Sequence, residues 1–229
     1  MQEVDIRSAS LPRGPRKPFI RIVLRGPAGL PRYQITAQCS NLFLFSFPLE
    51  IVGVNKLSAG EISERAERYK QDLPYSDTKI EQRIASVLNS QSWLVKEHVA
   101  DCIRWNLQNQ GGRAGHNVDR LDGVSEPVVE YTTKAAFIAN DPKQQVKILA
   151  ALPGVGTATA TVLLAFNDPE NYAIGDRYMN HELLGEDSQI KPTDYPKLLE
   201  ELRDLAPESI PLRTVEKAYY QRYLEENDL

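Results

Sequence analysis

A chain of 229 residues, 41% hydrophobic and 25% charged, is long enough to bury one sizeable core and has the balance of a globular protein. A net charge of −4 and a pI near 5.5 set it apart from strongly basic nucleic-acid binders. Two cysteines, Cys39 and Cys102, exclude a four-cysteine zinc site, an iron–sulfur cluster and a disulfide scaffold. No apolar run approaches 18 residues and the first residues lack the apolar centre of a secretory signal, so a cytoplasmic protein with no membrane partner is expected.

Residues 1–34 hold seven Arg or Lys (Arg7 to Arg32) against Glu3 and Asp5, a basic arm that reads as a solvated tail or a phosphate-following segment. Residues 1–18, with Pro12, Gly14, Pro15 and Pro18, read as loosely attached. Alternating or aromatic-rich runs predict strands at Phe19–Arg25, Arg32–Ala37 and Leu42–Phe47, the first two separated by a turn at Gly26-Pro27-Ala28-Gly29. From residue 58 the spacing becomes helical: Ile62, Ala66 and Tyr69; Ile80, Ile84, Val87 and Leu88; Val95, Val99, Cys102 and Ile103. Residues 108–126, polar and glycine-bearing, predict a long loop in which Arg113, His116 and Arg120 are candidates for a lid or a DNA contact. Val128–Ala139 predicts a helix, and Asp141-Pro142 supplies an N-cap and a first-position proline for another through Leu152. Helices at Thr157–Phe166, Tyr195–Leu205 and about Leu212–Glu226 complete the chain. The division expected is 1–57, basic arm and small β segment, and 58–229, a helical domain.

The stretch Leu152-Pro153-Gly154-Val155-Gly156-Thr157 carries the strongest functional signal. Proline ends one helix, the glycines permit a reversal, and the next helix starts with unpaired amides at the positive end of its dipole. Gly154, Val155, Gly156 and Thr157 are therefore candidate phosphate-binding residues through backbone N–H. The bland alternative is a tight turn between two helices that contacts no DNA.

Residues 141–184, with LPGVG followed at twenty residues past Gly156 by Asp176, resemble the helix–hairpin–helix/Gly-Pro-Asp superfamily of DNA glycosylases. The helix–hairpin–helix would span 141–168. The resemblance implies a mainly α, two-lobed helical glycosylase-like domain preceded by a short β-containing segment. It also implies a catalytic role for Asp176 opposite the positive charge that develops on a flipped nucleotide's sugar. The residue type and position equally suit an ordinary helix cap. Where bifunctional members carry a nucleophilic lysine this chain has Ala158, so a monofunctional, hydrolytic enzyme is implied, whereas Ile174-Gly175 in place of the Gly-Pro leans toward a non-catalytic module. The chain is similar also to a group of small bacterial and archaeal proteins, through Tyr172, Ile174, Asp176, Arg177 and Tyr219-Tyr220. DNA is the implied partner. No cofactor is required by this reading, although the resemblance allows a monovalent cation at the hairpin.

Trp105, Arg177 and His181 are further pocket candidates, each with a packing alternative: core for Trp105, an internal ion pair for Arg177, helix packing for His181. Tyr219 and Tyr223, four apart, are expected to pack on one face. His98, His116 and His181 show no metal-ligand spacing, so no metal site is expected. The leading functional expectation is a DNA N-glycosylase of base-excision repair. The alternative is a non-catalytic helix–hairpin–helix module that binds DNA or protein, and a third is an accessory protein of a toxin, defence or nuclease system.

Overall fold

The computed structural model describes residues 19–24, 33–38, 56–72, 78–108 and 110–227. The expectations for residues 1–18, for the turn at 26–29 and for a strand at 42–47 lie outside the described residues. The chain divides into two compact units, Met1–Lys56 and Leu57–Leu229. In the first, β1 (Phe19–Leu24) pairs antiparallel with β2 (Tyr33–Gln38), in a register that sets Ile22 opposite Ile35.

The second unit has only helices as regular elements among its described residues. It runs α1 (Ala59–Asp72), α2 (Thr78–Ser90), α3 (Lys96–Leu107), α4 (Arg113–Asp122), α5 (Glu126–Ile138), α6 (Pro142–Leu149) and α7 (Thr157–Asn167). A single turn, α8 (Arg177–Met179), passes into a π-helical turn at Asn180–Leu184, and α9 (Tyr195–Leu205) and α10 (Leu212–Glu226) follow.

Local chemistry sets several of these boundaries. Ser58 and Glu61 form a reciprocal capping box at α1: the Ser58 amide donates to Glu61 Oε2 at 2.8 Å and the Glu61 amide to Ser58 Oγ at 3.3 Å. Asp141 caps α6 by accepting from the Lys143 amide at 2.9 Å, with Pro142 in the first turn. Helix α7 has no polar face because every residue from Thr159 to Phe166 is buried. Its small residues let α2, α3 and α6 close around it. Helix α10 lies along α1, and the Tyr219 hydroxyl at that contact accepts from the Leu57 amide at 3.2 Å.

The 108–126 segment differs from expectation. It contains α4, whose Val118 and Leu121 are buried, and α4 packs on α3. Gly111-Gly112 before it and Gly123 after it mark its ends, and a Cβ at Gly115 would meet nothing within 4 Å. Two apolar residues three apart are too few to announce a helix in a polar run. Tertiary burial against α3 decides the matter.

Candidate functional site

The connection from α6 to α7 brings helix amides to the surface by a route only partly foreseen. Gly156 is the N-cap of α7, in extended conformation (φ −87°, ψ 174°), and a Cβ there would meet nothing within 4 Å. The first intrahelical bond is Ala160 N–H to Gly156 O at 2.9 Å, so the amides of Thr157, Ala158 and Thr159 precede the hydrogen-bond ladder. Gly156, Thr157, Ala158 and Thr159 line a cleft of about 770 Å³.

Gly154 and Val155 do not belong to this surface. Gly154 takes φ +89°, and a Cβ on it would stand 2.0 Å from the Asn117 carbonyl oxygen. Glycine is needed there for the close approach of α4, not for an approaching ligand. The Val155 amide is already used, donating to Leu152 O at 3.0 Å, and its side chain is buried. The amides left outside the ladder thus lie two residues further along the chain than the Val155 to Thr157 set expected from sequence. Within the turn Leu149 O accepts from the Leu152 amide at 3.1 Å and Leu152 O from the Val155 amide at 3.0 Å.

Asp176 opens onto the same cleft, half-buried at the N-cap of α8, where its Oδ1 accepts from the Met179 amide at 2.8 Å. Both readings of this residue, cap and cleft carboxylate, describe one side chain. Burial pushes its pKa up to about 6, with the Glu216 charge adding to the rise and the Met179 amide and Arg213 opposing it. The loop that presents it is held at three points. Thr161 Oγ1 accepts from Gly175 N at 2.9 Å, the Tyr195 hydroxyl donates to Ala173 O at 2.8 Å, and Ile174 N donates to Glu216 Oε2 at 3.3 Å. Gly175 passes so close to the Tyr195 ring that a Cβ would lie 3.2 Å from it, so this position favours glycine.

Trp105 lines the cleft and packs edge-on against Phe166, with ring centroids 5.2 Å apart. It serves core and cleft together. Arg177 lines the cleft as an exposed residue, its guanidinium 4.9 Å from the Tyr178 ring centroid. Arg113, from the segment expected to be a loop, also lines it. His181 does not. Its ring pairs with the Asp187 carboxylate and sits 5.5 Å from the Tyr223 ring, because the π-helical turn carries it away from Asp176. Tyr219 is buried, whereas Tyr223 reaches Tyr178 and His181, so the two tyrosines pack in different surroundings.

Below the cleft lies a charge cluster that the sequence reading missed. Arg213, 2% exposed, pairs with Glu216 on its own helix and with Glu81 of α2, and Lys217 Nζ lies 3.0 Å from both Glu81 oxygens. Two cations balance two anions. Burial raises the Glu216 carboxyl while Arg213 opposes that shift, and burial pushes Tyr69 beside them up to about 12. Glu216, Tyr69 and Tyr220 line the cleft. In sequence, Arg213, Glu216 and Lys217 have the spacing of an exposed, salt-bridged helix face.

Among the described residues no group of three or more His, Cys, Asp or Glu is placed to hold a metal ion. None of their helices is long and apolar enough to cross a membrane. Comparison with protein families, with characterised proteins and with solved structures returned no match.

Proposed function

We propose that the chain is a monofunctional DNA N-glycosylase of the helix–hairpin–helix type, acting in base excision, with α6 and α7 as the hairpin helices. The observation that carries this reading is a coincidence of position: the first amides of α7 and the carboxylate of Asp176 share one aromatic-walled cleft. Amides at the start of a helix suit a phosphate oxygen and fix register without reading sequence. Trp105 and Tyr178 are the aromatic side chains of the cleft wall against which an extruded base would stack.

In the reaction, the C1′–N bond breaks with its electron pair leaving on the base, and positive charge gathers on the sugar. Ionised Asp176 faces that charge in a partly desolvated wall, where a fixed anion has most effect. Water attacks C1′, its oxygen forming the new bond, and its proton is taken up by the departing base or by solvent. Ala158 offers no amine for a Schiff base, which is why the route is hydrolytic.

The test uses duplexes carrying uracil, oxidised, alkylated or mismatched bases, incubated with wild type or Asp176→Asn and then cleaved with alkali at abasic sites. Wild type should release at least one of these bases and the variant should be slower by roughly a hundredfold or more. The hydrogen bond from Met179 N to Asp176 favours a second reading, in which the carboxylate only caps α8 and the protein binds DNA without chemistry. Salt-sensitive binding with no release by either protein would establish that module instead.

A further inference from the structure

Glu216 is 2% exposed yet belongs to the cleft wall. Its two hydrogen bonds, from Arg213 Nη1 and from Ile174 N at 3.3 Å, both end on Oε2. Among the described residues none donates to Oε1, and that atom is not sealed from the cleft. A buried anionic oxygen without a donor is costly, and every other strong acceptor in the cluster is engaged: both oxygens of Glu81 receive Lys217 Nζ at 3.0 Å. Glu216 cannot swing to find another partner, because Arg213 and Ile174 fix its second oxygen. Asn106 of α3, which also lines the cleft, already donates Nδ2 to Thr159 Oγ1 at 3.0 Å.

We propose that Glu216 Oε1 is the acceptor that reads the bound base, taking an N–H from the edge of a heterocycle that carries an exocyclic amino group or a ring N–H. This rests on the reading of the cleft as a nucleotide pocket and adds its specificity. Arg213 and Lys217 together balance Glu216 and Glu81, so the oxygen presented is that of an ion-paired carboxylate. A base with a carbonyl or ring nitrogen at that edge would set lone pair against lone pair and leave the carboxylate dry and unpaired. Discrimination of this kind is steep because the wrong ligand forfeits a bond to a charged group.

The experiment compares two duplexes that differ only at one mismatched, readily extruded position: 2,6-diaminopurine, with two amino groups, or purine, with none. Affinity is measured with the full chain by fluorescence anisotropy, for wild type and Glu216→Gln. Wild type should bind the diaminopurine duplex about tenfold tighter or more, and the variant should bring the ratio close to one. Equal affinity of wild type for the two duplexes overturns the inference while leaving DNA binding intact, and this holds even if the variant does not fold. A ratio in Glu216→Gln equal to that of wild type overturns it as well. Absence of binding to either duplex overturns the DNA reading itself, and the inference falls with it.

Discussion

The Asp176 carboxylate sits between opposing influences. The Met179 amide favours its anion, whereas burial and the neighbouring Glu216 favour the acid, and the acid gains ground. Its folded-state pKa, about 6, lies above the ordinary 3.8, so the protonated form stabilises the fold. That stability is present in full below about pH 4 and is lost as the pH rises through about 6, a difference of about 3 kcal/mol. Asp176→Asn keeps a capping side chain and cannot ionise. Its stability relative to wild type should therefore rise between pH 4 and pH 8, as read by urea unfolding at each pH; a difference independent of pH would refute the burial argument. Base release, if the anion is the working form, should climb through about pH 6 and then level off. The two hairpin glycines separate just as clearly. Gly154→Ala meets a carbonyl oxygen at 2.0 Å with φ +89° and should cost about 3 kcal/mol or more, whereas Gly156→Ala meets nothing and should cost about 1 kcal/mol or less. Thermal unfolding of the two variants checks the order.

At the scale of elements, α7 organises the site from both of its ends of influence: its N-terminus supplies amides, and one turn further on Thr161 grips the loop that bears Asp176. Thr161 Oγ1 accepts from Gly175 N at 2.9 Å and lies 2.7 Å from Ala158 O. Thr161→Val keeps the shape but leaves the buried Gly175 amide without its acceptor. A loss of about 1–3 kcal/mol in denaturant unfolding is expected, together with slower base release as the loop loosens. Unchanged stability would mean that Gly175 finds another acceptor. The α6 cap, α7 and α9 were legible in the sequence because their signals are local: Asp141-Pro142, an unbroken apolar and small-residue run, and a leucine-rich periodicity. Helix α4 was not, since its burial rests on Val118 and Leu121 meeting α3. The displacement of the unbonded helix amides past Val155 was also invisible, because it depends on Leu152 O claiming that amide.

For the whole molecule, the buried residues of the helical unit, from Leu57 to Tyr219, form a core of its own. Residues 57–229 expressed alone should unfold cooperatively, with a midpoint within about 5 °C of the full chain. A large loss of midpoint would show that the first 56 residues contribute to the stability of the helical unit. The sequence by itself determined the helical class, the reversal between α6 and α7 and the position of Asp176 at the head of a turn, because caps, breakers and apolar periodicity act over a few residues. Only the tertiary structure decided which of these groups meet. It placed Glu216, Tyr69 and Tyr220 around Asp176 and sent His181 to Asp187. It also turned a charged face of α10 inward onto Glu81 of α2. A buried charge is tolerable only beside its counter-charge, and that partner lies more than a hundred residues away, where no local pattern can announce it.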